Sequence, residues 1–366
     1  MSLLKEIDKM RQEIRTDGYP MSISEWISLY ENNEIDIHPE FQRFYRWQKE
    51  QKTKLIESIL LGIPIPPIFV SQRQDGVWDV VDGLQRLSTI LEFVGILKNE
   101  NNELITPLVL DKTDYLPSLE GKKWDDKDDK ENSFTTEERL LVKRSKISAS
   151  ILLRESDEVA KYELFQRLNT GGSTLTDQEV RNCILVMVNR NMYQWLLELS
   201  KYDKFQEIIC LSERPLQEQY DIELALRFVV FSTIEEAELV SLGDVGKFLT
   251  QKMVSIAKNK TFNFEEMKSR FIRTFDLLSR TTGENSFKRF SKEKNRFLGG
   301  FFLSPFEVIT FGLGNNIDTP PADERIEGLI KSIWENEIFK AWSGSGMTAT
   351  RRLPKLIPLG REVFRG

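Results

Sequence analysis

The feature that most constrains the fold is a β-strand pattern that changes into a helix pattern within two residues. Residues 77–81 (VWDVV) are rich in β-branched and aromatic side chains, which is typical of a strand. Apolar residues then recur at positions 84, 87, 91 and 94, the spacing of a helix with one buried face. Only Asp82 and Gly83 separate the two patterns, so the chain must turn sharply from strand into helix.

Neighbouring segments extend this pattern into an α/β domain. Residues 68–70 and 77–81 flank an Asp-Gly pair at 75–76, which favours the tight turn of a β-hairpin. A helix is predicted over residues 48–61, with Gly62 as its left-handed end, and a shorter one after Ser24 as its N-cap. Residues 147–153 predict a returning strand.

Helix patterns dominate the C-terminal half. Thr176 and Glu179 have the spacing of a capping box, and Ser304 with Pro305 predicts the start of a later helix. We therefore predict an α+β chain in three parts. These are an N-terminal helix over residues 1–18, an α/β domain over 19–155 with a charged, mobile insertion near 98–145, and an irregular all-helical domain over 156–366.

The composition narrows the function classes. The chain of 366 residues has 51 Lys and Arg against 57 Asp and Glu, and a net charge of −6 argues against nonspecific coating of nucleic acid. Two cysteines are too few for a disulfide framework and fit a reducing cytosol. The longest apolar run, residues 59–70, contains three prolines and is shorter than the ~20 residues of a membrane helix. We expect a cytoplasmic protein without a membrane span.

The strand-to-helix corner is the main candidate site. The first turn of a helix presents backbone N–H groups that favour a bound anion, and Gly83 allows a ligand to approach closely. Arg86 opposes the helix dipole by roughly 0.3–1 kcal/mol, so it needs an anionic partner, and phosphate is the simplest. Asp82 can hold magnesium or orient a water. The structural alternative is that Asp82 caps the helix and Arg86 is its salt-bridge partner four residues later.

Two further segments have the residue types of a phosphate site. Residues 41–47 (FQRFYRW) carry Gln42, Arg43 and Arg46 among aromatic side chains that can grip a phosphate and a base. Their structural alternative is a surface loop whose aromatics pack on the next helix. Residues 169–172 (NTGG) end a predicted helix and can cradle an anion, or serve only as its C-cap.

In this order the three segments resemble the ParB/sulfiredoxin-like DGQQR-motif family, found in the N-terminal half of GmrSD-type modification-dependent restriction endonucleases and in stand-alone relatives in phage defence. The resemblance spans about residues 22–227. It implies a ParB/sulfiredoxin-like core that binds a nucleoside triphosphate with Mg²⁺, hydrolysis in some members, and a separately encoded nuclease or effector as partner. Leu84 stands where the family has Gln, which leaves hydrolysis open.

By this resemblance the site residues divide into two groups. Catalysis is assigned to Asp82, which is also the metal ligand, with Gln85 and Arg86. Nucleotide binding is assigned to Gln42, Arg43, Arg46, Gly83, Asn169, Thr170, Gly171 and Gly172. His38 is the only histidine, and an HNH nuclease needs a base histidine and usually a second as ligand. No HNH activity is therefore expected.

Three hypotheses follow from these residues. The first is a nucleotide-dependent component of a restriction or phage-defence system, with magnesium-dependent triphosphatase activity left open. The second is a DNA-binding or adaptor module on the same scaffold, with DNA contacts from two basic clusters that contain Lys288, Arg289, Arg351 and Arg352. The alternative for both clusters is a solvated face. A third hypothesis, a ParB-like nuclease, is weaker because no cluster of carboxylates accompanies Asp82.

Overall fold

The computed structural model describes residues 3–4, 16–37, 47–99, 101–154, 176–240, 242–344 and 346–366. The chain divides into two compact units, Met1–Thr174 and Leu175–Gly366. The first contains a mixed five-stranded sheet with helices and the second is mainly helical, which confirms the predicted order of classes. The predicted boundary after residue 155 lies at the start of 155–175, outside the described residues.

The sheet of the first unit is mixed. Its strands are β1 (Thr16–Ser22), β2 (Ile35–Asp36), β3 (Ile68–Gln72), β4 (Trp78–Asp82) and β5 (Lys146–Leu152), in the order β1-β5-β3-β4-β2. β1 pairs antiparallel with β5, and the predicted hairpin pairs β3 antiparallel with β4. The remaining pairs, β3 with β5 and β4 with β2, are parallel. β1 begins inside the range 1–18 that was predicted to be helical.

Four α-helices accompany this sheet among the described residues. They are α1 (Ile23–Glu31), α2 (Lys49–Leu61), α3 (Leu84–Val94) and α4 (Thr136–Arg144). Ser22, not the predicted Ser24, caps α1, because only Ser22 stands three residues before Glu25 and forms a capping box with it. Gly62 ends α2 at φ 68°, in the left-handed conformation that the sequence predicted.

The segment 98–145 is packed into the first unit, and the expectation of a mobile insertion was wrong. Leu108, Leu110 and Phe134 are buried in the same core as the sheet residues. Trp124 lies edge-on to Phe93, with their ring centroids 5.6 Å apart. The sequence does not predict this burial, because the apolar residues of the segment are few and are separated by charged ones. They reach the core from irregular backbone, so they have no repeating spacing.

The second unit contains eleven α-helices among its described residues. They are α5 (Asp177–Ser200), α6 (Asp203–Ile209), α7 (Glu213–Gln217), α8 (Tyr220–Phe231), α9 (Glu236–Leu239), α10 (Val245–Lys258), α11 (Phe264–Thr281), α12 (Leu303–Asn316), α13 (Asp323–Ile333), α14 (Glu337–Trp342) and α15 (Ala349–Val363). The Thr176–Glu179 capping box of α5 is confirmed. α12 begins one residue before the predicted Ser304 cap, with Phe302 at its N-cap.

A short hairpin interrupts the helices of the second unit. β6 (Arg289–Ser291) and β7 (Arg296–Leu298) pair antiparallel, so the prediction of an all-helical domain missed one element. Phe290 and Phe297 stand opposite each other in this hairpin. Across the described ranges, no helix combines the length and the apolar character that a membrane crossing requires.

Candidate functional site

The strand-to-helix corner depends on the backbone conformation of Gly83. β4 ends at Asp82, α3 begins at Leu84, and Gly83 between them has φ 98°, which L side chains rarely adopt. A Cβ atom on Gly83 would also lie 2.9 Å from Cγ1 of Ile68 in β3. From the sequence we expected a ligand to approach Gly83 closely, whereas in the structure the side chain of Ile68 occupies this space.

Arg86 donates hydrogen bonds to three acceptors of the protein itself. Its Nη2 donates to Asp82 Oδ2 at 2.7 Å, and its Nη1 donates to the carbonyl oxygens of Pro66 and Pro67. Its side chain is only 13% exposed. The anionic partner that Arg86 requires is thus Asp82, so the position of this cation does not by itself require a phosphate. The salt-bridge alternative weighed in the sequence is the observed pairing.

Asp82 keeps an accessible carboxylate despite this salt bridge. Its side chain is 35% exposed, and only Oδ2 is used in the bond to Arg86. Asp82 does not occupy the N-cap position of α3; Gly83 does, and glycine has no side chain that could bond to the first-turn amides. Those amides and one carboxylate oxygen therefore stand together at the start of α3, where the helix dipole favours negative charge.

Gln85 connects the corner to the second candidate segment. Its Oε1 accepts a hydrogen bond from the backbone N–H of Trp47 at 3.3 Å. Trp47 is the one residue of the segment 41–47 that the structure describes. The predicted ligands Gln42, Arg43 and Arg46 lie outside the described residues.

The third candidate segment is also outside the description. Asn169, Thr170, Gly171 and Gly172 all fall within residues 155–175. The structure therefore brings together Asp82, Gly83, Gln85 and Arg86 of the predicted site, and the other assignments stay predictions. Within the described ranges there is no group of three or more histidine, cysteine or carboxylate side chains that could hold a metal.

Leu84 is the first residue of α3. It is partly buried and packs against the core of the first unit. An apolar side chain at this position therefore extends the buried stripe of α3, as its spacing predicted.

A surface cavity lies elsewhere in the first unit. Its volume is about 630 Å³. It is lined by Thr136, Glu137, Leu140, Leu141, Arg144 and Ser145, along α4 and its C-terminal end. None of these lining residues belongs to the corner or to the other predicted segments, so this cavity does not bear on the predicted site.

The basic residues predicted to contact DNA have different environments. Arg289 and Arg351 are exposed, and Lys288 forms an ion pair with Glu284 at 3.1 Å. Arg352 is only 8% exposed, so its assignment as a DNA contact was wrong. The side chains of a helix point in different directions at adjacent positions, and this is why Arg351 faces solvent while Arg352 faces the core.

Arg352 belongs to a buried ionic network that the sequence reasoning missed. Its Nε and Nη2 donate to the two carboxylate oxygens of Glu307 at 2.7 and 2.9 Å. Glu307 also pairs with Arg227 at 3.3 Å, and Arg227 pairs with Glu223. Burial raises the pKa of Glu223, but the nearby arginines Arg227 and Arg181 outweigh it and lower the pKa overall. The only sequence signal was the four-residue spacing of Glu223 and Arg227.

With this geometry described, a comparison with protein families gives a match that lies mainly in the first unit. Residues 23–186 match the family model for the N-terminal domain of GmrSD restriction endonuclease. A comparison with curated proteins found no match.

The match to the GmrSD N-terminal domain includes the whole corner from Asp82 to Arg86. It begins at the start of α1 and ends within α5, so most of the second unit lies outside it. The β6–β7 hairpin and the Arg352–Glu307 network therefore lie outside the matched residues.

Proposed function

We propose that this chain is a component of a DNA restriction or phage-defence system. In this proposal its first unit binds a nucleoside triphosphate with Mg²⁺ at the corner formed by Asp82, Gly83, Gln85 and Arg86. A separately encoded nuclease or effector acts with it in the cytoplasm. The match of residues 23–186 to the GmrSD restriction endonuclease N-terminal domain supports the restriction part of the proposal.

The observation that carries the nucleotide proposal is the start of α3. The N-cap residue Gly83 has no side chain that could cap the first turn, and the partly exposed carboxylate of Asp82 lies next to its amides. Helix N-termini of this kind bind phosphates through backbone N–H groups. Mg²⁺ beside phosphates uses one or two protein carboxylates, so a single accessible aspartate fits it. When bound, the ion would neutralise phosphate charge.

Arg86 has donors to spare for such a ligand. A guanidinium has five N–H groups, and the bonds to Pro66, Pro67 and Asp82 use three of them. We propose that Arg86 chiefly positions Asp82 and the Pro66–Pro67 backbone, and that the Nε side of its guanidinium is what a phosphate can reach. This assigns Arg86 a positioning role beside any direct contact.

Calorimetry of the full chain tests the proposal. Each nucleoside triphosphate is titrated in the presence of Mg²⁺ into the wild-type chain and into Asp82→Asn. Asparagine keeps an oxygen that Arg86 can donate to but removes the charge, so we expect binding to weaken about tenfold or more, or ~1.4 kcal/mol. Phosphate release under the same conditions distinguishes hydrolysis from binding alone.

Asp75→Asn is the matched control. Asp75 lies in the β3–β4 turn, where its Oδ1 accepts from the Val77 N–H at 3.1 Å, a bond that asparagine can keep. This control removes the same charge from the same unit, and we expect its nucleotide affinity to stay at the wild-type value. Absence of binding for every triphosphate, or an equal loss in both variants, would overturn the proposal.

A DNA-binding adaptor without nucleotide turnover is the second candidate function. The exposed cations Arg289 and Arg351 favour it, and the replacement of a polar residue by Leu84 in the corner is compatible with lost hydrolysis. DNA binding that falls with salt and is unchanged by Asp82→Asn would support this candidate alone. DNA binding that requires nucleotide would support the first.

A further inference from the structure

The β6–β7 hairpin concentrates positive charge in a chain that is acidic overall. Residues 288–296 contain five Lys or Arg against one Glu, while the whole chain has a net charge of −6. Many cations of the second unit are paired at close range, as Arg273 is with Asp318 at 2.8 Å. In contrast, Arg289, Lys294 and Arg296 are exposed and have no acidic partner within the described ranges.

The register of the hairpin separates its charged face from its apolar face. Arg289 is opposite Leu298, and Ser291 is opposite Arg296. Since side chains alternate along a strand, Arg289 and Arg296 project from the same face and lie on a cross-strand diagonal, about 7–8 Å apart. Phe290 and Phe297 project from the other face, with their ring centroids 5.3 Å apart.

Contacts with α13 hold the hairpin in place by its apolar face. The Nζ of Lys331 lies 5.2 Å from the ring centroid of Phe290, and Lys292 pairs with Glu335 just beyond α13 at 3.5 Å. At the base, Lys288 pairs with Glu284. The hairpin is therefore anchored before any ligand arrives, so the backbone that carries Arg289, Lys294 and Arg296 needs little ordering on binding.

We propose that the β6–β7 hairpin is a binding site for duplex DNA, in which Arg289, Lys294 and Arg296 contact backbone phosphates. A two-stranded ribbon fits the major groove of B-form DNA, which is about 12 Å wide. The major groove of duplex RNA is too deep and narrow for side chains to enter, so the ribbon favours DNA. This site goes beyond the nucleotide corner and lies outside the residues matched to the GmrSD N-terminal domain.

Fluorescence anisotropy with a short labelled DNA duplex tests the site on the full chain. The triple variant Arg289→Gln, Lys294→Gln and Arg296→Gln removes the three exposed charges. Each phosphate contact contributes about −0.9 to the slope of log affinity against log salt, so the slope should become shallower by about 2.7. At low salt we expect DNA affinity to fall about tenfold or more.

A matched control separates location from net charge. Lys247, Lys260 and Arg325 are exposed cations of the same unit, and a triple glutamine variant of them removes the same charge. We expect the control to keep the wild-type salt slope. Thermal melting should show all three proteins equally folded, because every substituted side chain is exposed.

Three outcomes would overturn the proposal. One is DNA binding by the hairpin variant with the wild-type affinity and slope, and another is an equal loss in the control. The third is that the wild-type chain fails to bind duplex DNA, or prefers duplex RNA or an acidic peptide of equal charge. Calorimetry of the hairpin variant with Mg²⁺ and nucleotide reports separately on the corner, so the two proposals can fail independently.

Discussion

Arg86 and Asp82, four residues apart, form one salt bridge at 2.7 Å across the corner between β4 and α3. The two charged residues of the candidate site are thus coupled, and Arg86 also holds the backbone of Pro66 and Pro67 ahead of β3. Substitution of either charge changes the surroundings of the other. Tests of function at this corner therefore have to be read together with tests of stability.

Arg86→Ala is expected to destabilise the first unit. The substitution leaves two carbonyl oxygens and Asp82 without their donor, and each partly buried group that loses its partner costs ~1–3 kcal/mol. We expect a total loss at the upper end of that range, measured as the free energy of unfolding in urea. Arg144→Ala, at an exposed arginine of the same unit, should change it by less than about 0.5 kcal/mol. Equal values for both variants would contradict the anchoring of Asp82, Pro66 and Pro67 by Arg86.

Gly83→Ala combines a strained backbone with a steric overlap. The alanine would have to adopt φ 98°, and its Cβ would lie 2.9 Å from the Ile68 side chain. We therefore expect the free energy of unfolding to fall by more than the ~1–3 kcal/mol of backbone strain alone. Gly121→Ala is the control, because Gly121 has φ 73° but no atom within 4 Å of the added Cβ. The difference between the two unfolding free energies measures the contact with Ile68, and no difference would show that the contact is relieved easily.

Arg352→Ala should be among the most destabilising changes in the second unit. It leaves Glu307 buried with one of its two arginine partners removed, and breaking a buried ion pair costs ~3–5 kcal/mol. The neighbouring Arg351→Ala removes the same charge from an exposed position and should cost less than about 0.5 kcal/mol. Chemical unfolding of both variants is the measurement. Similar effects would mean that Arg352 is not buried in solution.

Stability should fall in alkali because of Tyr220. Burial raises the pKa of Tyr220 to about 12, against 10.0 for a free tyrosine. Above pH 10 the unfolded chain therefore ionises this group before the folded chain does, so its contribution is complete below pH 10 and is lost as the pH rises towards 12. The unfolding midpoint of the wild type relative to Tyr220→Phe should be constant below pH 10. It should fall as the pH rises from 10 towards 12. Tyr115→Phe, at an exposed tyrosine, should show no such shift.

Local signals in the sequence were sufficient for several elements of both units. The Asp75–Gly76 turn and the end of α2 at Gly62 in the first unit, and the Thr176 capping box in the second, each depend on residues within a few positions of one another. The start of α1 was misplaced by two residues because Ser22 and Ser24 are both acceptable caps, and only the bond to Glu25 decides between them.

Local sequence signals could not predict contacts between residues that lie far apart in the chain. The bonds from Arg86 to Pro66 and Pro67 span about twenty residues, and the pair of Arg352 with Glu307 spans 45. A charged residue gives the same local pattern whether it faces solvent or a buried partner, so Arg352 was taken for a surface cation. The burial of Leu108, Leu110 and Phe134 was missed because these apolar residues are scattered among charged ones without a repeating pattern.

Hydrogen exchange at the first turn of α3 tests the central claim most directly. The amides of Leu84, Gln85 and Arg86 precede the first hydrogen bond inside α3, from the Leu87 N–H to the Gly83 carbonyl, so we expect them to exchange faster in the free protein than those of the helix interior. With saturating Mg²⁺ and nucleoside triphosphate, the account predicts strong protection of these amides in the wild-type chain and much weaker protection in Asp82→Asn. Unchanged exchange at residues 84–86 under saturating ligand, with protection elsewhere or none, would contradict the account.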